Sequence, residues 1–379
     1  MKNDLCIRPY RRAILVFFVF LFTLSFVYVV GKGGFLSPHI GEAKITPETI
    51  LSNNEEIVFD KSNPEVKGVM DVHDRHTPKL MAIPEVVGSG VGLTDDNRPG
   101  ILVFTKNKVS AGVVPESLEG VPVVVVRVTG EISAMPSHTA GKGSSSSVGT
   151  INPKSFFQRP VPIGISTGNA NECSAGTIGA RVKDINGNVY ALSNNHVYAL
   201  ENTASIGSIV LQPGRYDSNC VYNPNNSIGT LYAYEPIKFD GSNNEIDAAI
   251  ALTTTGALGN STPSNGYGTP SSTTIAASVG LPVQKYGRTT SLTRGSINAI
   301  NATVKVGYGS GTAIFVGQII VYSSKPFIKA GDSGSLLVSD DTSRKPVGLL
   351  FAGTSDGKWG IANPIDKVLA RFGVRIDGN

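Results

Sequence analysis

The chain has 379 residues, 40% of them hydrophobic and 16% charged, which is longer than one average domain and rich enough in apolar residues to bury a sizeable core. The formal net charge is only +4 and the Lys and Arg residues form no dense tract, which excludes a nucleic-acid footprint. Forty-three glycines among many Val, Ile and Thr residues favour β-structure with tight turns.

Lys2, Arg8, Arg11 and Arg12 precede the charge-free run AILVFFVFLFTLSFVYVV, residues 13–30. Basic residues ahead of an apolar run this long predict a hydrophobic transmembrane helix with residues 1–12 on the cytoplasmic side. A cleaved signal peptide is the alternative, but Val29 and Gly31 match the small-residue cleavage site poorly. Either way residues 31–379 are expected to be exported, either anchored and facing the periplasm or exterior, or secreted.

Residues 31–79 are polar, lack periodicity and read as a stalk or pro-segment. Within them His73, Asp74 and His76 read as solvated linker, so no metal site is expected there, and no cofactor anywhere. Residues 80–136 read as a small α+β domain, with strands in ILVFTKNK and VPVVVVRVTG and a short helical crossover starting at Pro115. GSGVG (88–92) lacks the full spacing and following helix of a phosphate loop and reads as a glycine-rich turn. Residues 137–159 form a Gly/Ser-rich linker.

From residue 160 to 379 short β runs recur between turn signals, the pattern of an all-β sandwich or barrel. Asn186-Gly187 is a favoured two-residue hairpin turn and predicts pairing of 180–184 with 188–192. Ile365, Val368, Leu369 and Phe372 fit one face of a helix near the C-terminus. Cys6 falls on the cytoplasmic side, whereas Cys173 and Cys220 are both exported and either bridge or remain buried thiols.

KAGDSGSLLV (329–338) sets Asp332 and Ser333 between glycines at the head of an apolar strand. Alone, Gly-Asp-Ser-Gly suits an ordinary turn. As a nucleophile Ser333 needs a base, and His196 in ALSNNHV is the one histidine of the β-rich region. Asp247, in NNEIDAAIALT, heads an apolar strand and is preferred over Glu245 and Asp240 as the acid that orients it. The chain order His, Asp, Ser is that of chymotrypsin rather than of subtilisin or the α/β-hydrolases.

With these motifs, and with YGRTTSLTRGSI, PVGLLFAG and WGIANPIDKVLARFG following in order, the region 160–379 resembles the chymotrypsin/trypsin-like serine proteases of bacterial type. The resemblance implies a mainly β fold of two six-stranded barrels with a C-terminal helix, and a site in the cleft between them. It implies a serine endopeptidase acting on protein or peptide substrates, with Ser333 as nucleophile, His196 as base, Asp247 as its orienting acid, and the N–H groups of Gly331 and Ser333 as oxyanion hole. By the same resemblance Phe327, beside Ile328, floors the pocket for the residue before the scissile bond, and Phe351, Ala352 and Gly353 wall it. No acid stands at that floor, so small or medium apolar side chains are expected there rather than Arg or Lys.

Two departures stand out. Asn194, Asn195 and Val197 flank His196, so the disulfide usual beside the family's histidine is missing. No Arg/Lys-Ile-Val-Gly-Gly sequence opens the domain, so another cation, or a preformed loop, has to hold Asp332. The alternative function is a proteolytically inactive fold serving as a surface or periplasmic binding module, against which the intact triad order argues.

Overall fold

A computed structural model describes residues 59–134 and 151–379. The apolar run 13–30, the expected stalk as far as residue 58, Cys6 and the Gly/Ser-rich 137–150 lie outside the described residues. The described chain starts with α1 (Pro64–Met81), β1 (Val86–Leu93), β2 (Pro99–Thr105), β3 (Ser117–Leu118), β4 (Val121–Arg127) and β5 (Ile132–Ala134). After residue 150 come β6 (Ser166–Asn169), β7 (Gly176–Thr177), β8 (Ala180–Asp184), β9 (Val189–Ser193) and α2 (Asn195–Tyr198). Next are β10 (Ile209–Leu211), β11 (Ser227–Tyr234), β12 (Asn243–Asn244), β13 (Ala249–Thr253), β14 (Pro282–Gly287) and β15 (Ser291–Tyr308). The last elements are β16 (Gly311–Tyr322), β17 (Leu336–Ser339), β18 (Pro346–Thr354), β19 (Trp359–Pro364), α3 (Ile365–Phe372) and β20 (Val374–Ile376).

Two sheets result. One runs β20-β8-β9-β13-β11-β10-β6-β7. The other runs β12-β16-β19-β18-β17-β14-β15-β1-β2-β4-β3, with β5 set against β15 and β18. This is the mainly β, two-half architecture expected of the region from 160 onward, with α3 near the C-terminus. The Asn186-Gly187 turn joins β8 to β9 as expected, Lys183 opposite Val189 and Ala180 opposite Leu192. Cys173 and Cys220 form a disulfide, their Cα atoms 5.1 Å apart.

The N-terminal part departs from the sequence reading. The described end of the supposed stalk is mostly α1, started by a cap: the Asn63 side chain accepts the N–H of Glu65 at 2.9 Å, Pro64 takes the first helical position and Glu65 faces the positive helix end. Val66, Val69 and Val72 bury one face of this helix, and His73 turns inward with Nε2 2.9 Å from Ser89 Oγ. The glycine-rich segment 88–92 is a buried strand rather than a turn. A side chain on Gly92 would run into Leu102 and come within 2.6 Å of the Asn298 carbonyl, so the absence of one lets β1 lie close between its neighbours.

The helix expected from Pro115 is absent. Glu119 and Gly120 both take positive φ (49° and 84°) and turn β3 back onto β4, with Leu118 opposite Val121. Nor do residues 80–136 stand apart as a small domain. β1 pairs antiparallel with β15, and Val86, Val91, Ile101 and Val103 share one core with Ile297, Val321, Phe327 and Leu337. α1 covers only the Val86, Val91, Ile101 and Val103 face of the antiparallel pair β1 and β2, while Val87, Leu102 and Phe104 pack into a second cluster with β15 and β16 residues, so these strands extend the second sheet.

Candidate active site

His196 sits on α2, a single turn directly after β9. The two asparagines before it fasten this turn. Asn194 Nδ2 donates to the Asp247 carbonyl at 2.7 Å, and Asn195 Nδ2 donates to the Glu235 carbonyl at 2.6 Å and to Asn202 Oδ1 at 2.8 Å. β13 pairs with β9 so that Ala249 lies opposite Ser193, which carries Asp247, two residues earlier, past the strand end and up to His196.

Asp247 is fully buried, as is the His196 side chain. Its Oδ2 lies 2.5 Å from His196 Nδ1, and its Oδ1 accepts the His196 backbone N–H at 3.2 Å. Tyr308, at the end of β15, donates its hydroxyl to the same Oδ2 at 2.9 Å. Burial, reinforced by the Asp247 charge, pushes the Tyr308 phenol well above its ordinary range, so it stays protonated and able to donate. Three donors thus hold and orient the carboxylate in a buried site. The rival acids do not reach the histidine: Glu245 pairs with Lys367 at 3.0 Å, and Asp240 binds Ser242.

Ser333 comes from the other sheet, on the loop between β16 and β17. It is fully buried, and its Oγ donates to the Phe351 carbonyl at 3.1 Å. His196 Nε2, the nitrogen a serine would use, is buried and unpartnered among the described residues. The Ser333 carbonyl accepts the Thr177 N–H at 2.7 Å, tying the loop to the first sheet. Gly331 has φ +95°, and a side chain there would come within 2.6 Å of Thr289 Oγ1 and overlap Arg288, so the loop admits only glycine. Among the described residues, the N–H groups of Gly331 and Ser333 meet no backbone or side-chain acceptor, while that of Asp332 donates to the Lys329 carbonyl at 2.9 Å.

Asp332 is fully buried and heavily bonded. Its Oδ1 accepts the N–H groups of Thr289 (2.8 Å) and Thr290 (3.1 Å). Its Oδ2 accepts Thr290 Oγ1 (2.7 Å) and the Lys329 N–H (2.9 Å), and lies 3.3 Å from the buried Lys285 Nζ.

The residues expected to form the substrate pocket divide. Phe327 and Ile328 are buried in the core shared with α1, whereas Phe351 and Ala352 belong to a second cluster with Phe315, Val128 and Ile132. The outer side of the wall is covered by the chain itself: β5 pairs antiparallel with β18, Ala134 opposite Ala352 and Ser133 opposite Gly353. Among the described residues no cluster of His, Cys, Asp or Glu is arranged to hold a metal. A cavity of about 620 Å³ lies elsewhere, between α1 and the second sheet, lined in part by Asp74, Met81, Glu245 and Lys305.

Sequence reasoning missed Tyr308, Lys285 and the two asparagines' anchoring roles. Nothing local marks Tyr308, which joins the site from 61 residues beyond Asp247. A lysine in the strand pattern VQKYG was a signal, since a charge inside an otherwise apolar strand needs a buried partner.

The model of Peptidase family S64 matches residues 165–375. Among solved structures the chain is similar to Thermobifida fusca protease A, at 21% identity over 58% of this chain and 100% of that one, with a TM-score of 0.42. It is also similar to Cellulomonas bogoriensis chymotrypsin (23% identity, 58% and 99% covered, TM-score 0.40). A third is a glutamic acid specific serine protease (20% identity, 57% and 100% covered, TM-score 0.41). No curated protein matches the chain.

Proposed function

The chain belongs to Peptidase family S64, and we propose that it is a serine endopeptidase whose catalytic residues are Ser333, His196 and Asp247. The observation that carries this reading is the buried contact of 2.5 Å between His196 Nδ1 and Asp247 Oδ2, with Nε2 left unpartnered. A carboxylate on Nδ1 fixes the tautomer in which Nδ1 carries the proton and Nε2 is a free base. Ser333 Oγ turns from the Phe351 carbonyl to Nε2, gives up its proton and attacks the peptide carbonyl. The proton then passes to the leaving amine, and water hydrolyses the acyl-enzyme by the same route. The unengaged N–H groups of Gly331 and Ser333 receive the oxyanion, a contribution of roughly 3 to 4 kcal/mol per donor.

In this reading an extended substrate pairs with the edge of β18 at Phe351, Ala352 and Gly353, where β5 now lies. Substrate therefore has to displace β5, and a pocket floored by Phe327 with no acid beside it favours Ala, Val or Leu before the cut over Arg or Lys. We assign the chain to the exported side of a membrane, anchored through residues 13–30 or released by their cleavage. The Cys173–Cys220 bridge supports an oxidising compartment.

The test is hydrolysis of casein and of a positional peptide library by the full chain and by Ser133→Pro. Proline removes a backbone donor from β5 and loosens its pairing with β18. Cleavage after apolar residues, several-fold faster in Ser133→Pro, is the expected result. Strong preference for Arg or Lys before the cut contradicts the pocket assignment, and an unchanged rate in Ser133→Pro contradicts the role of β5.

A further inference from the structure

We propose that β5 displays the substrate subsites of this chain: a peptide to be cut enters as a middle strand between β15 and β18, selected for a branched apolar residue four positions before the cut and a small one two positions before it. The inference rests on the serine-peptidase reading above and names its substrate class.

β5 has a strand on each side. Ile132, Ser133 and Ala134 lie opposite Thr354, Gly353 and Ala352 of β18 in antiparallel register, and Ser133 lies opposite Gly307 of β15 in parallel register. The chain entering β5 is tied to the turn after β18. Thr129 Oγ1 donates to Asp356 Oδ2 at 2.8 Å, and Ser355 Oγ donates to the Thr129 carbonyl at 3.3 Å. The register relates each residue of β5 to the nucleophile. Ser333 Oγ donates to the carbonyl of Phe351, the residue before Ala352. A substrate residue opposite Phe351 therefore carries the carbonyl that Ser333 attacks. Counting back along an antiparallel strand, the places of Ala134, Ser133 and Ile132 are the second, third and fourth before the cut.

Side chains alternate across a strand, so the second and fourth positions share one face and the first and third share the other. Ile132 is 3% exposed and belongs to the apolar cluster that holds Ile237, Phe315 and Phe351, and Ala134 packs against the same cluster. Phe327, the expected floor for the first residue, belongs to the other cluster, in keeping with that alternation. The third position has a glycine opposite it on either strand, Gly307 and Gly353, so no side chain there can select. Backbone pairing on two sides supplies affinity whatever the sequence, and the pocket filled by Ile132 supplies the selection.

The experiment measures p-nitroaniline release from blocked tetrapeptide anilides of sequence Ile-Ser-Ala-Leu, Gly-Ser-Ala-Leu and Ile-Ala-Ala-Leu. The full chain is compared with Ile132→Asp, which sets a charge in an apolar pocket and so drives β5 out. Thermal melting accompanies the rates, and Ile132→Gly, which only empties the pocket, replaces Ile132→Asp if that protein does not fold. The matching diphenyl phosphonates report the same preferences as labelling rates at Ser333. Expected is a kcat/KM about 10- to 100-fold higher with Ile than with Gly at the fourth position, the effect of burying one such side chain. Exchanging Ser for Ala at the third position should change it little. The variant should cut all three peptides several-fold faster than the parent chain and keep the same preference. Equal kcat/KM with Ile and Gly at the fourth position, or parental rates in the folded variant, overturns the proposal and leaves the serine-peptidase reading standing. Absence of both hydrolysis and labelling in parent and variant overturns that reading, and this proposal with it.

Discussion

Replacing Ser333 by alanine is expected to lower kcat by on the order of 10⁶, and His196→Ala by nearly as much, because nucleophile and base act as one unit. The double variant should then be no slower than either single one. The geometry gives the reason. Among the described residues Ser333 Oγ has one acceptor, the Phe351 carbonyl, which cannot take its proton, and the base in the proposed mechanism is the unpartnered His196 Nε2. Without His196 the hydroxyl keeps its proton, and without Ser333 the imidazole has nothing to deprotonate but water. Both substitutions shorten a buried side chain, so circular dichroism and the melting temperature have to accompany the rates. A Ser333→Ala protein that still cleaves peptide at the wild-type rate would remove Ser333 from the mechanism.

Asp247→Asn should lower kcat at neutral pH by roughly 10⁴-fold while leaving KM nearly unchanged. The carboxylate accepts from His196 Nδ1, from the His196 backbone and from Tyr308. An amide has one acceptor oxygen in place of two. If its NH2 faces the ring, Nδ1 becomes the acceptor and the proton moves to Nε2, the wrong tautomer for a base. If its oxygen faces the ring, the His196 backbone N–H meets an NH2. Either arrangement also loses the negative charge that stabilises the imidazolium. Steady-state kinetics on a chromogenic peptide checks this, and a loss below tenfold would mean that another acid orients His196.

The parts of the candidate site were legible in the sequence because each of them is local. ALSNNHV follows a hairpin fixed by Asn186-Gly187, and NNEIDAAIALT and KAGDSGSLLV each carry their chemistry at the edge of a strand, so residue type and strand periodicity point to the same positions. What was missed depends on tertiary neighbours. The cap at Asn63-Pro64-Glu65 was in the sequence, yet the helix after it is polar on most sides and is secured by packing against β1 rather than by its own pattern. GSGVG is a strand because Gly92 has to admit Leu102, which no local rule foretells. The residues around Glu119 suit a helix, but the pairing of Leu118 with Val121 prevails. Tyr308 and Lys285 reach their carboxylates across 61 and 47 residues of chain, beyond any spacing argument.

The central claim is that Ser333 is a nucleophile activated by His196, and covalent labelling tests it most directly. A diphenyl phosphonate with a Val- or Leu-like side chain is incubated with the full chain and with Ser133→Pro, and the adduct is located by peptide mass spectrometry. One adduct per chain on the peptide containing Ser333, lost in Ser333→Ala and strongly slowed in His196→Ala, is the predicted result. No adduct at Ser333 in either folded protein, or an adduct that forms equally fast in His196→Ala, would contradict it.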